Sequence, residues 1–175
     1  MTRDQFEHAV RAAGAVLGTD EILVIGSQAL HGSVEERLPE EALRSVEVDV
    51  AVPGDEDGED ADLIDGSIGE GSMFHGTFGY YAQGVVEATA VLPDGWRDRL
   101  VPFETPGTGG VTAWCLDPHD LWISKAIAGR PKDVEFCGSL LRAGLVDRGL
   151  LNERLSLVPD LNKAVEEAVR ARIRA

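Results

Sequence analysis

Ile22-Leu23-Val24-Ile25-Gly26-Ser27-Gln28-Ala29-Leu30-His31-Gly32 and, after a polar connection, Ser45-Val46-Glu47-Val48-Asp49-Val50-Ala51-Val52 together combine two apolar strands, a small-residue turn and a pair of carboxylates. The first half is a short apolar run of the kind that forms a buried strand, ending on Gly26-Ser27 and passing into residues of helical composition. A turn of that kind at a helix start presents backbone N–H groups to which a phosphate can bind. The second half alternates Val46, Val48, Val50 and Val52 with Glu47, Asp49 and Ala51, so strand geometry sends the valines to one face and both carboxylates to the other. Two adjacent carboxylates repel, and a divalent cation shared with phosphate oxygens relieves that repulsion, an arrangement that suits Mg²⁺. From the strand alone, an edge strand with one solvated polar face is the simpler reading. Gly26-Ser27 upstream shifts the balance toward a phosphate and metal site.

Outside that stretch, composition sets limits. The chain has 175 residues, 43% of them hydrophobic, enough for one domain with a real core, and no apolar run approaches the length of a membrane span. No basic segment followed by an apolar one opens the chain, and two cysteines, Cys115 and Cys137, are too few for a disulfide framework. A soluble, cytoplasmic protein is expected. The net charge of −15 weighs against broad attachment to nucleic acid or anionic lipid, while leaving room for a local basic patch.

The remaining segments read as scaffold and cover. Thr2-Arg3-Asp4-Gln5 has the form of a capping box, and Phe6, Val10, Ala13 and Leu17 follow at helical spacing before Gly18. Ser33 to Arg44 is expected to be a loop with a helical turn at Glu40 to Leu43, able to cover a site. Gly54 to Asp62 carries six acids in nine residues, without the spacing of a calcium loop, and reads as a solvated turn. Leu63 to Tyr81 is rich in glycine and aromatic residues and is expected to be an ordered loop over the sheet. Its aromatics and His75 either stack on a base or close the core. Gly84 to Leu92 reads as a further strand carrying Glu87, and Val111 to Leu116 as the last strand. Arg97 and Arg99 would meet phosphate or, more simply in so acidic a chain, neighbouring carboxylates. The histidines and cysteines have no metal-ligand spacing, so no zinc site is expected.

Asp117-Pro118 is a strong helix start, and the helix that follows carries Lys125 among apolar residues, where an anchored ammonium can hold a phosphate. A second helix begins near Pro131 and runs past Phe136 and Leu140 toward Gly144, with Asp133 in its first turn, where a carboxylate also suits the helix dipole. Asp160 is expected to cap a final amphipathic helix. The whole chain reads as one domain, with 145–175 a helical extension of it.

Gly26-Ser27, Glu47-x-Asp49, and Asp120-Leu121-x-x-x-Lys125 followed by Arg130-x-Lys132-Asp133 occur in an order that resembles the nucleotidyltransferase superfamily. More narrowly, they resemble its minimal AbiEii-like and MenT-like bacterial members, many of them encoded in toxin–antitoxin or phage-defence pairs. The resemblance covers roughly Ile22 to Phe136. It implies an α+β fold, a mixed β-sheet flanked by helices, with a nucleoside triphosphate and Mg²⁺ (or Mn²⁺) bound at the strand ends. Carried onto this chain, Gly26 and Ser27 hold the β- and γ-phosphates, Glu47 and Asp49 bind metal, and Lys125 contacts the triphosphate. Asp133 matches the downstream acidic position of the toxin-like members, and Glu87 is a candidate third strand carboxylate. The superfamily usually has Asp where this chain has Glu47, and a glutamate can still ligate. The implied reaction moves a nucleoside monophosphate to RNA, protein or a small molecule, with a cognate partner protein as a further implication and no membrane partner. The competing reading is a nucleotidyltransferase-like module that binds and performs no chemistry.

Overall fold

The computed structural model describes residues 1–34 and 38–175. Five strands form one mixed sheet in the order β3-β2-β1-β5-β4. They are β1 (Glu21–Val24), β2 (Glu47–Ala51), β3 (Tyr81–Gly84), β4 (Val101–Phe103) and β5 (Thr112–Cys115). β1 is the middle strand, pairing antiparallel with β2 and parallel with β5. β3 lies parallel to β2, and β4 antiparallel to β5. Ile22, Leu23 and Val24 are almost completely buried, as an apolar run in a central strand must be.

The carboxylate strand is therefore interior, flanked by β1 and β3, and the edge-strand reading does not hold. Val48 and Val50 face the core, but Val46 lies before the strand and is exposed, and Val52 lies after it. Glu47 and Asp49, on the polar face of this interior strand, are only partly exposed.

Helix α1 (Arg3–Leu17) forms where the capping box predicts it, with Thr2 and Gln5 making both reciprocal bonds and Gly18 closing the helix at φ 66°. Phe6, Ala9, Val10 and Ala13 are its buried stripe. The glycine- and aromatic-rich segment is not a loop. It folds as α3 (Glu59–Ile68) and α4 (Met73–Phe78), following the short α2 (Glu40–Leu43), and leads directly into β3. The glycines mislead because two of them, Gly66 and Gly76, lie inside helices and two end them: Gly69 is the C-cap of α3, and Gly79, at φ 76°, the C-cap of α4. Helix α3 packs tightly on β3, where a Cβ on Gly84 would come within 2.0 Å of the Ala61 carbonyl oxygen. The expected strand over 84–92 is displaced accordingly. β3 ends at Gly84, and Glu87–Thr89 is a single 3-10 turn. The expected loop from Ser33 to Arg44 contains the helical turn α2, while its residues 35–37 lie outside the described residues.

Asp117 and Pro118 start α5 (Pro118–Ala128), with the Asp117 carboxylate accepting from the His119 and Asp120 amides. α6 (Pro131–Arg142), α7 (Arg148–Ser156) and α8 (Lys163–Arg174) follow. α6, α7 and α8 all pack on α5. Leu151, Leu155, Val169 and Ile173 are buried in the same apolar core as the strands, so the 145–175 segment is knitted into it. Asn162, not Asp160, caps α8, accepting from the Ala164 amide, while Asp160 takes a left-handed backbone at φ 51°.

Candidate active site

At the end of β1 the chain runs through Ile25 and Gly26 in an extended conformation and turns at Ser27 into a 3-10 segment, Ser27–Gly32. Gly26 is bare for a steric reason. A Cβ there would fall 1.6 Å from Oδ2 of Asp49, so only glycine lets the β2 carboxylate lie against the β1 turn. The two halves of the opening stretch are thus in contact, and the glycine serves the aspartate.

Glu47 and Asp49 line one cleft of about 280 Å³, together with Ile25, Gly26, Gln83 and Lys125. Ser124, Arg130 and Lys132 complete its polar wall, and Val85, Ala90 and Ala128 supply apolar surface. Among the described residues, no hydrogen bond or ion pair engages the Asp49 carboxylate, although it is only partly exposed. Burial pushes its pKa up and repulsion from Glu47 adds to this, while Lys125, Lys132 and Arg130 pull it back. This is a carboxylate held partly desolvated, facing cations it does not touch.

Glu47 is differently placed. Its Oε2 accepts from the Tyr81 hydroxyl at 3.0 Å, and its Oε1 lies 4.0 Å from Lys132 Nζ. The Tyr81 phenol is pushed up to about 12 by burial and by its bond to Glu47, so it stays a proton donor at any ordinary pH. Ladder register explains the contact: Tyr81 is the cross-strand partner of Glu47, and Gln83 that of Asp49. The sequence reading misses both because it places this strand several residues later. The alternation Tyr81-Ala82-Gln83 across buried Ala82 is the available signal.

Lys125, on the cleft side of α5, also lines a smaller cavity of about 70 Å³ with Ser27, Ser45, Glu47, Lys132 and Asp133. The fold thus brings Ser27, Lys125 and Glu47 to one place from three separate elements. Asp133 is buried, and its carboxylate is chelated by Arg130 at 2.6 and 3.3 Å. Glu87 is not a strand carboxylate. It sits on the 3-10 turn, pairs with Arg97, and lines a separate depression beside Gly54 and Asp55. The sheet position facing the carboxylate pair belongs to the neutral Gln83. Arg99 pairs with Asp120 at 2.8 Å, as the ion-pair reading predicts.

A family model described as "Nucleotidyltransferase of unknown function (DUF6036)" matches residues 5–173. The chain belongs to that nucleotidyltransferase family. Neither a curated protein nor a solved structure matches it significantly. The mixed sheet flanked by helices is accordingly a nucleotidyltransferase-like fold. A nucleotidyltransferase draws on a nucleoside triphosphate, and the cleft is lined both by Lys125, Arg130 and Lys132 and by the carboxylates Glu47 and Asp49. Among the described residues, no three His, Cys, Asp or Glu side chains converge on one point. Glu47 and Asp49 alone still fit a hard divalent cation, because Mg²⁺ keeps several waters and takes one or two carboxylates plus substrate phosphates. The unpartnered Asp49 is the ligand such an ion would complete. No helix of the described residues is long and apolar enough to cross a membrane.

Proposed function

We propose that the protein is a Mg²⁺- or Mn²⁺-dependent enzyme that transfers a nucleoside monophosphate from a nucleoside triphosphate to a hydroxyl of an acceptor. The observation that carries this reading is the Asp49 carboxylate, unpartnered and partly desolvated, lying against a glycine whose missing Cβ makes room for it and facing Lys125. Glu47 and Asp49 would hold the cation, which would supply neutralisation of phosphate charge and of the departing pyrophosphate. Gly26 gives up its Cβ position to the Asp49 carboxylate at the turn beside the phosphates, Ser27 donates a hydroxyl hydrogen bond to them, and Lys125 meets them as a point charge. The small cavity lined by Ser27 and Lys125 receives the end of the phosphate tail, and the larger cleft, which also holds Asp49, takes the rest of the nucleotide. The acceptor hydroxyl loses its proton to solvent as its oxygen bonds to the α-phosphorus and the bond to the pyrophosphate oxygen breaks. Asp133 keeps Arg130 at the cleft mouth, a role consistent with its chelated geometry.

The motif order further supports membership of the AbiEii-like and MenT-like bacterial group, a cytoplasmic setting, and a cognate partner in a toxin–antitoxin or defence pair. RNA, protein and small molecules are the acceptor classes to be sorted. An RNA acceptor would have to be met locally, by Lys125, Arg130 and Lys132, since the chain as a whole carries −15. One observation favours the non-catalytic alternative: both Glu47 oxygens already face partners of this chain. Each of the four α-labelled NTPs, with Mg²⁺ or Mn²⁺ and with total RNA, the protein itself or small hydroxyl compounds as acceptor, separates the two. Label transfer with pyrophosphate release that disappears in Asp49→Asn is the expected result. Nucleotide binding without pyrophosphate release under every combination would favour the binding module.

A further inference from the structure

We propose that Tyr81 is a positioning residue that makes a glutamate serviceable at the first carboxylate of the cleft. This inference rests on the metal-binding role proposed for Glu47 and Asp49. A glutamate has one more rotatable bond than an aspartate, so its carboxylate must be fixed by something outside its own backbone to present a constant geometry to an ion. Asp49 needs no such help, since its short side chain lies against the Gly26 backbone. Glu47 receives it from across the ladder. Tyr81, buried and paired in register with Glu47, donates its hydroxyl to Oε2 at 3.0 Å, leaving Oε1 on the side of Lys132.

The tyrosine is itself held. Its ring is packed at 4.7 Å and 50° against the His75 ring on α4. His75 is fixed in turn by accepting from the Gly71 amide at Nδ1, and its own amide donates to the Ser72 hydroxyl that caps α4. A connected path therefore runs from the α4 cap through His75 and Tyr81 to one oxygen of Glu47. Substitution of Tyr81 by Phe removes only the hydroxyl from it. Shortening Glu47 to Asp withdraws the carboxylate from the hydroxyl's reach, so the two changes act on one hydrogen bond and their effects are not additive.

The test is a double-mutant cycle of wild type, Tyr81→Phe, Glu47→Asp and the double variant. Mn²⁺ affinity is measured by electron paramagnetic resonance with a non-hydrolysable NTP analogue present, beside the pyrophosphate release rate and the melting temperature. Tyr81→Phe is expected to weaken Mn²⁺ binding about tenfold, as loss of a hydrogen bond to a charged group does, and to have no effect in the Glu47→Asp background. Equal Mn²⁺ affinity in wild type and Tyr81→Phe, or an equal loss in both backgrounds, overturns the assignment. The second outcome would mark the hydroxyl as general scaffold. Should the wild type hold no Mn²⁺ that Asp49→Asn abolishes, the metal site itself falls, and the Tyr81 role with it. A site lost in Asp49→Asn but indifferent to Tyr81→Phe ends the Tyr81 role alone.

Discussion

Asp49 and Asp120 are two aspartates withdrawn from solvent in the same protein, and their surroundings could hardly differ more. Asp120, on α5, is fully buried and accepts from Arg99 on one oxygen at 2.8 Å, with Arg154 at 3.2 Å from the other. Those two arginines come from the 3-10 turn Trp96–Arg99 and from α7, so the carboxylate ties three elements together. Burial raises the pKa of both, but Asp49 has no partner among the described residues. The first charge is consumed by the fold. The second has no partner in the fold, and Lys125, Arg130 and Lys132, which line the same cleft, offset its cost without touching it. Burial of a carboxylate therefore says little until its partners are counted.

Neutralising each aspartate in turn should give opposite results. Asp49→Asn keeps the shape and removes the charge, and roughly a thousandfold loss of pyrophosphate release is expected, about 4 kcal/mol of transition-state stabilisation, with the fold retained. Unchanged turnover in that variant would leave Asp49 without a function. Asp120→Ala strands two guanidinium groups and is expected to cost about 3–5 kcal/mol of stability, seen as a fall of about 10 °C in the melting temperature. A melting temperature equal to that of the wild type would show that the triad is dispensable, and the contrast would collapse from the other side.

How far these roles are legible in the sequence follows the range of the interactions involved. The capping box at Thr2 and Gln5, the Asp117-Pro118 start of α5 and the carboxylate strand are local patterns, and each forms where the sequence puts it. Helices α3 and α4 escape such a reading because glycines that end helices look, in sequence, like glycines that fill loops. That error propagates to β3 and hides Tyr81 and Gln83, whose importance lies wholly in their register with Glu47 and Asp49. It also promotes Glu87, which the structure gives to Arg97. Asp120 and Lys125 belong to one motif in the sequence, yet they leave α5 in different directions, toward the Arg99–Arg154 pair and toward the cleft. Little more than one helical turn separates a charge paired within the fold from one that lines the cleft, and only the packing of α7 reveals which is which.

A smaller effect sharpens the contrast at the cationic wall. Ser27→Ala and Lys125→Ala are each expected to weaken NTP binding about tenfold while leaving nucleoside binding unchanged, because the hydroxyl and the ammonium they remove both act on phosphate oxygens. Both residues line the same small cavity, so the double variant should lose less than the product of the two single losses. Equal losses for NTP and nucleoside would move these residues from the phosphates to the sugar or base.

The smallest expected effect concerns stability without ligand, and its sign is set by the raised pKa of Asp49. A carboxyl group with a folded-state pKa above its unfolded value, near 3.9, binds its proton more tightly in the folded state, so its contribution to stability falls as pH rises between the two values. Above the folded-state pKa that deficit is constant. Asp49→Asn has no proton to lose, and it should therefore melt slightly above the wild type at neutral pH, by at most about 2 °C. The gain should vanish as pH falls below the unfolded value. Saturating Mg²⁺ and a non-hydrolysable NTP should reverse the order, since only the wild type gains the binding free energy of the ion. Melting curves across pH 3 to 8, with and without ligand, measure both signs. A variant less stable than the wild type at neutral pH without ligand would mean that Asp49 already has a stabilising partner, like Asp120, and the difference between the two aspartates would be one of degree.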